Sequence, residues 1–485
     1  MPKIVLLWTD AAVWLLVAAL LAYGVAVVRH PGLSANWRKV FRDGPALASA
    51  MVLGLCLLVT LADSVHYRLA LPRAEGSPHT PVAHETRTRS LLDAMLADLI
   101  NGREVTYSRP LAYVSFTKDS ITLPGGRVLR VEPRLHHGGA HLRDPNRQWA
   151  ADIANRTASG FARGTLLALF LVAALIAALA RSRGATWREV AGSVWRQEGE
   201  IPWRTALWTV LVLALLIGVV QALMGGYHVL GTDTTGNDVL YQAMKSIRTA
   251  FVIGSLATLA TLPLAVVLGI MAGYFGGWVD EAIQYLYTVL SSVPNVLLIA
   301  ACVLMVQVFL DKHPELFETA VERADLKLFL LCTVLGLTGW AGLCRLLRGE
   351  TLKLRELEYV QAARAFGVSH TRIMWRHIFP NVAHLMLIVT VLEFSTLILY
   401  EAVLSYVGVG VDPSMNSFGG MINFARKEMS RDPVVWWSFA AAFGFMVTVV
   451  LAANLFADGV RDAFDPRARH FRRRLAIRPP ARPRT

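Results

Sequence analysis

Glu358-Tyr-Val-Gln-Ala-Ala-Arg-Ala-Phe-Gly367-Val-Ser-His-Thr-Arg-Ile-Met-Trp-Arg-His-Ile-Phe-Pro380-Asn381 is the stretch on which the reading of this chain turns. It is charged and helix-patterned, and it lies between two apolar runs, about 327 to 347 and 382 to 405. Tyr359, Ala362, Ala363 and Phe366 fall at i, i+3, i+4 and i+7, which is one face of a helix. Gly367 interrupts that pattern, so the spacing predicts two short amphipathic helices joined there. Pro380 suits the first turn of the following helix, where a missing N–H is no loss. The alanine pair leaves a shallow surface that another protein can approach closely.

Outward from this stretch the chain is mostly apolar. A spanning helix needs about 20 such residues, and nine segments qualify: roughly 8 to 28, 46 to 66, 161 to 181, 204 to 224, 248 to 273, 283 to 310, 327 to 347, 382 to 405 and 435 to 458. Of 485 residues 54% are hydrophobic and 17% charged, whereas soluble domains carry about 25% charged residues. The expected fold is an all-α polytopic membrane protein of about nine transmembrane helices with a small α+β insertion outside the membrane. A cleaved signal peptide is the rival reading of the first run. Asp10 near its start, its length and the lack of an Ala-x-Ala site count against that. Cys56, Cys302, Cys332 and Cys344 sit in or beside apolar runs without CxxC spacing, so neither a disulfide framework nor a zinc site is suggested.

Charge orients the spans. Forty-eight Lys and Arg against 35 Asp and Glu give +13, and Arg467 to Thr485 alone holds eight Arg and no acid, leaving 13 − 8 = +5 elsewhere. So local a surplus disfavours nucleic-acid binding, which wants a basic face on a folded domain. Arg29, Arg38, Lys39 and Arg42, then Arg181, Arg183, Arg188, Arg196 and Arg204, then seven Lys and Arg between Arg345 and His377, then the tail, all fall on one side if every span is real. By the positive-inside rule that side is cytoplasmic. Asp311 to Asp325, with five acids against two bases, falls outside. The expectation is a bacterial inner-membrane protein with a periplasmic N-terminus and a cytoplasmic C-terminus. The Arg-rich stretch from 67 to 160 is also outside, since long segments translocate largely regardless of charge. In it Leu91, Leu92, Met95, Leu96 and Leu99 have helical spacing, while Ala112–Phe116 and Arg127–Glu132 look like strands around a Pro124-Gly125-Gly126 turn. The chain thus divides into two N-terminal spans (1–66), the insertion (67–160), two further spans (161–229), a core (230–467) containing the loop 350–380, and a basic tail (468–485).

The 358–381 stretch resembles the EAA loop of ABC-importer permeases, a cytoplasmic element that docks into a groove on the ATP-hydrolysing subunit. Gln361 stands where the general pattern has an acid, and His377 and Phe379 where it has Ile and Leu. The dipeptide, oligopeptide and nickel branch typically reads E-Y-V-x-A-A-R-x-x-G and R-H-I-L-P-N, which this chain follows almost throughout. Gly231-Thr-Asp-Thr-Thr-Gly-Asn-Asp-Val-Leu240 is similar to the branch's external G-T-D-x-x-G-R-D-V-L, with Asn237 in place of Arg. Glu401-Ala-Val-Leu-Ser-Tyr-Val-Gly-Val-Gly410 with Ser417-Phe-Gly-Gly420 resembles its E-x-x-L-S-F-L-G-L-G and S-W-G segment. Asn454, Asp458, Gly459, Arg461, Asp465, Pro466 and Arg467 match its terminal motif. The likeness runs from about Leu230 to Arg467 and is greatest to the second permease of peptide operons.

That resemblance implies a six-helix permease core. It also implies a heterodimer with a different permease, two ATP-hydrolysing subunits that carry ATP and Mg, and a periplasmic solute-binding protein. No cofactor belongs to this chain, which has no G-x-x-x-x-G-K-[ST] loop for phosphate. Glu358, Tyr359, Gln361, Ala362, Ala363, Gly367 and Pro380 are the coupling-loop residues carried over. Ahead of Leu230, Trp37-Arg-Lys-Val-Phe-Arg42 and the run up to Asp63 resemble the start of a peptide permease, which makes about Val65 to Met224 an insertion after the first span. Alternatively the span at 204 is the first, and everything earlier was added in front.

Polar groups inside the core spans are the candidates for a solute pathway: Ser291, Ser292, Asn295, Glu393 and Ser395. Glu401, at the end of its span, is read as structural, and Pro294 as a kink. His136, His137 and His141 have a spacing that suits a metal, but no cysteine and only scattered carboxylates accompany them, so no metal site is expected. The tail is read as disordered and topology-fixing, with lipid headgroups as its alternative contact. The solute is expected to be a peptide, with nickel chelates or another small solute as the alternative. A different class stays open: a membrane-anchored sensor or binding protein acting through the 67–160 domain.

Overall fold

The computed structural model describes residues 3–71, 84–122, 128–197, 200–317 and 319–464. The Pro124-Gly125-Gly126 turn, the end of the terminal motif and the basic tail lie outside them.

Strand β1 (Lys3–Val5) leads into α1 (Trp8–Arg29), α2 (Pro31–Val40) and α3 (Gly44–Asp63). Asp43 caps α3, its carboxylate accepting from the Ala46 amide at 3.2 Å. Strand β2 (His66–Arg68) pairs antiparallel with β1, Ile4 opposite Tyr67, and with β3 (Arg89–Ser90), His66 opposite Ser90. The insertion's sheet therefore takes in residues ahead of α1. The helical run at 91–99 is two short helices, α4 (Leu91–Met95) and α5 (Ala97–Asn101). Strand β4 (Asp119–Thr122) pairs with β5 (Val128–Val131), which falls within the stretch expected at 127–132. The other expected strand, Ala112–Phe116, does not form. Pro110 has no N–H for a ladder and Leu111 turns the backbone to φ +57°, so only isolated bridges, Ser108 to Ser115 and Val114 to Arg134, remain there.

Next come α6 (Pro145–Arg183), α7 (Trp187–Arg196) and α8 (Trp203–Met224). α6 starts well before the apolar run at 161 and packs along α8 as a hairpin. The seam is made of small residues that let two backbones touch. A Cβ on Gly164 would meet the Ala214 carbonyl at 2.6 Å, and one on Gly218 the Gly160 carbonyl at 2.5 Å.

The core is built on α9 (Val239–Phe275), followed by α10 (Gly277–Ser292), α11 (Asn295–Lys312), α12 (Ala320–Gly339) and α13 (Ala341–Arg355). α14 (Glu358–Ala365), α15 (His370–Ile373), α16 (Phe379–Val407), α17 (Phe418–Glu428) and α18 (Trp437–Phe464) complete it. α9 packs on α3, α10, α12, α13, α16 and α18, whereas the α6/α8 hairpin reaches the core through α3. Among the described residues eight helices are long and apolar enough to span a membrane, and a ninth if α12 and α13, bent by 40°, are one span. The span expected at 283–310 is not continuous. Val293 is extended (φ −92°, ψ 133°) and Pro294 caps α11, because a proline cannot supply the missing helical N–H and forces its predecessor out of the helix. Pro294 therefore marks a break rather than the expected kink.

Two polar clusters fix the N-terminal part to this core. Arg248 of α9 is 4% exposed. Its guanidinium donates to Asp10 Oδ1 at 2.6 Å, Thr9 Oγ1 at 2.8 Å and Ser64 Oγ at 3.3 Å, and lies 3.7 Å from Asp325 of α12. His66 Nδ1 meets the other Asp10 oxygen at 2.7 Å. The second cluster clasps the insertion. Glu104, 5% exposed, accepts from the amides of His136, His137 and Gly138 at 2.9, 2.7 and 3.0 Å, and stands 3.5 Å from His228 Nε2. His228 Nδ1 is 2.7 Å from Asp238, which caps α9 by accepting from Leu240 and Tyr241. Gly236, at φ +77°, lies against the Glu104 carbonyl so closely that no side chain fits, and the Glu104 amide donates to its carbonyl at 3.0 Å.

Burial pushes the Glu104 carboxyl up, but His228 and the three amides outweigh it and hold it at about 2. Burial pulls the His228 imidazole down, but Asp238 and Glu104 outweigh it and raise it to about 9. A lowered acid stabilises above its ordinary 4.5 and loses that as pH falls through about 2; a raised base stabilises below its ordinary 6.5 and loses that as pH rises through about 9. Hydrogen exchange over residues 104–140 should accordingly be slowest between pH 4.5 and 6.5, once corrected for intrinsic rates, and quicken through pH 9. Asp10→Ala strands Arg248 and should cost about 3–5 kcal/mol, measured as a fall in unfolding temperature in detergent. Adding Arg248→Met should recover part of that loss, because the orphaned charge is gone.

Candidate coupling surface and solute pathway

The Glu358–Asn381 stretch folds at the end of the bundle remote from the insertion. α14 has two faces, but their division differs from the one the spacing predicts. Val360 and Ala363 are buried in one cluster with Leu343 and Leu347 of α13, Ile373 and Ile378. Tyr359, Ala362 and Phe366 are exposed, Phe366 by 87%. The larger β-branched residue takes the inside, and Ala363 follows it three positions on.

The helix ends in a Schellman motif. Gly367 takes φ +75°, its amide donates to the Arg364 carbonyl at 3.0 Å, and the Val368 amide donates to the Ala363 carbonyl at 3.1 Å. No side chain crowds Gly367, so its requirement is conformational. Beyond it the second short helix does not stand alone. α15 runs through a π-helical turn, Met374–Ile378, straight into α16, with Pro380 in the first turn of that span. Glu358 lies in the first turn of α14, where the helix dipole favours an acid. Gln361 Nε2 donates to the Glu356 carbonyl at 3.2 Å, and Asn381 Nδ2 to Tyr359 Oη at 3.2 Å and the His377 carbonyl at 2.6 Å. Tyr274, at the end of α9, bonds His370 Nδ1 at 2.8 Å. Arg348 of α13 grips Asp280 of α10 with two bonds of 2.5 and 2.7 Å. α14 is thus one rigid piece with the ends of α9, α10, α13 and α16, and it presents aromatic side chains outward.

The polar residues of the spans are scattered. Ser291, Ser292 and Asn295 are exposed around the break between α10 and α11, with Ser292 Oγ turned back to the Val289 carbonyl at 2.7 Å. Glu393 lines a small cavity with Thr258, Thr261 and Thr390, room for about one water. Ser395 donates to Asn454 of α18 at 2.6 Å, a partner that spacing alone does not reveal. Glu401, 1% exposed, accepts from Ser405 Oγ at 2.7 Å. His136 and His137 give their amides to Glu104, and His141 Nε2 meets Asp152 at 2.8 Å. Among the described residues no group of three or more His, Cys, Asp or Glu side chains is arranged to hold a metal, and all four cysteines are free.

Residues 265–470 match the family described as binding-protein-dependent transport system inner membrane component. The oligopeptide transport system permease protein OppC of Mycobacterium bovis is 33% identical over 249 residues, 51% of this chain and 79% of that protein. OppC of Haemophilus influenzae is 32% identical over 246 residues, 51% and 72% of the two chains. The dipeptide transport system permease protein DppC of Alkalihalophilus pseudofirmus is 30% identical over 240 residues, 50% and 72%. A solved chain of the MetNI methionine ABC transporter in inward-facing conformations aligns with a TM-score of 0.34 at 16% identity, over 47% of this chain and 96% of that one. With a third of the aligned residues identical across 79% of a curated relative's length, and with eight or nine apolar helices among the described residues, this chain belongs to the binding-protein-dependent ABC-importer permeases as a multi-pass inner-membrane component.

Proposed function

We propose that this chain is one of two permeases of a peptide importer, driven by ATP hydrolysis on separate subunits. The observation that carries the coupling half of this reading is the exposed Tyr359–Ala362–Phe366 face of α14, an aromatic surface held on a rigid lever. An aromatic side chain 87% in water on a helix whose other face is fully packed is a docking residue in want of a groove. The peptide half rests on the relatives, whose names are those of oligopeptide and dipeptide permeases. On this reading the insertion faces the periplasm with the N-terminus, the α14 end faces the cytoplasm with the C-terminus, and a periplasmic binding protein delivers the solute.

The mechanism follows from the connections. Closure of the ATPase pair pushes on α14. Because α15 passes unbroken into α16, and Tyr274 ties α9 to His370, the push becomes a rigid-body displacement of two core spans. Access to a pathway between this permease and its partner then alternates between the two sides. Glu393, with Thr258 and Thr261 beside it, and Ser291, Ser292 and Asn295 at the helix break are the proposed pathway groups of this chain; Ser395 acts through Asn454. The chain binds no nucleotide; ATP and Mg belong to the partner subunits.

Gly367→Val puts a β-branched residue at φ +75° and should break the Schellman turn. In reconstituted vesicles ATP hydrolysis should persist while peptide uptake falls at least tenfold. Phe366→Ser, by contrast, should weaken retention of the ATPase subunits in a pull-down of the solubilised complex without lowering this chain's unfolding temperature. Full uptake in the Gly367→Val vesicles together with undiminished ATPase retention by Phe366→Ser would sink the coupling assignment.

A further inference from the structure

A second cavity, of about 560 Å³, opens at the end of the bundle that carries the insertion, a size within the roughly 300–1,000 Å³ of small-molecule sites. Its walls come from the 231–240 motif, the turn after α16, α17 and the start of α18, with Tyr107 of the insertion among them. Its lining mixes apolar and polar groups, and the side-chain amides of Gln242, Gln307 and Asn423 are among the latter.

Two of its hydroxyls are left unsatisfied by the chain. Tyr107 is 2% exposed, and its hydroxyl is buried without a hydrogen-bond partner of acceptable geometry. The Ser438 hydroxyl is in the same state. Such groups cost roughly 1–3 kcal/mol each when nothing meets them, so their gathering at one cavity calls for an occupant. Lys327 is 8% exposed, and its ammonium forms an ion pair with Asp412 at 3.6 Å. Tyr107 is held firmly in place: its ring meets Trp437 edge-on at 6.4 Å and lies under the Arg431 guanidinium at 5.6 Å, while Arg431 itself pairs with Glu428 at 2.7 Å. Burial, opposed by Thr234 and reinforced by Glu428, pushes the phenol up to about 12, so it remains a protonated donor.

We infer that this cavity is a solute subsite for a short peptide, in which the Tyr107 and Ser438 hydroxyls hydrogen-bond main-chain amides and Lys327, shared with Asp412, supplies the counter-charge for a carboxylate. A peptide offers carbonyls, N–H groups and a terminal carboxylate together, and the amide-lined wall suits its backbone without reading its side chains. The inference rests on the peptide reading above and adds to it that the insertion takes part in solute recognition through Tyr107.

The test uses the full complex, with its second permease, ATPases and binding protein, in proteoliposomes importing radiolabelled trialanine. Tyr107→Phe removes one oxygen and Lys327→Gln one charge; Ser438→Ala serves as a third variant in case Lys327→Gln does not assemble. Uptake at saturating binding protein should fall about 3- to 10-fold in Tyr107→Phe, the value of one hydrogen bond, with binding-protein-stimulated ATP hydrolysis within about twofold of the unaltered complex. Unchanged uptake in all assembled variants overturns the subsite while leaving the peptide reading intact. Uptake and stimulated hydrolysis falling together would place Tyr107 in the docking of the binding protein and also overturn it. An unaltered complex that imports no trialanine though its ATPase responds to the binding protein overturns the peptide reading, and the subsite with it.

Discussion

A guanidinium inside an apolar bundle is tolerable only when its charge and its N–H groups are met, and Arg248 is the point on which the insertion end of this protein is assembled. Asp10 comes from α1, Asp325 from α12, Ser64 from the end of α3, and His66, from β2, holds Asp10 in turn. Three residues earlier on α9, Lys245 repeats the device, reaching Asp63 at 2.6 Å and Asp93 of α4 at 2.9 Å. The two cations lie on neighbouring turns of one helix face. What apolar packing does not specify, the relative placement of α1, α3 and a small mixed domain on a permease core, these two charges specify by the cost of leaving them unmet.

The same helix carries the connection to the other end. α9 is 37 residues long, ~55 Å at 1.5 Å per residue. It begins at Asp238, inside the clasp and beside the polar cleft, and ends near Tyr274, bonded to His370 at the proposed coupling surface. A displacement at one end has a stiff path to the other, lined along its length by the packed faces of α12, α13 and α16.

Most of this architecture was legible in the residues, and the failures share a physical origin. Apolar run length located the spans because lipid leaves a helix little choice. Gly367 and Pro380 announced their positions because each imposes a backbone constraint that few other residues share. The break at Pro294 was visible as a proline, but its extent depends on whether neighbouring helices re-satisfy the freed carbonyls, which no local pattern encodes. Ala363 lies inside rather than on the exposed face with Tyr359, Ala362 and Phe366, because the cluster with Leu343 and Leu347 takes Val360 and the residue three positions on. The clasp of Glu104, His228 and Asp238, the Ser395–Asn454 pair and the cleft at Tyr107 join residues far apart in the chain. Composition and spacing have no access to such pairs; only the fold brings them within reach.

The α6/α8 hairpin has one further consequence, which concerns counting. It crosses the bundle twice and so returns the chain to the end from which it left. An excursion with an even number of crossings preserves the parity of everything after it. Whatever the length of this segment, α9 still starts at the same face, and the α14 lever still emerges at the opposite one. Its glycine-lined seam packs the hairpin against itself, and it meets the core through α3, away from the α14 lever.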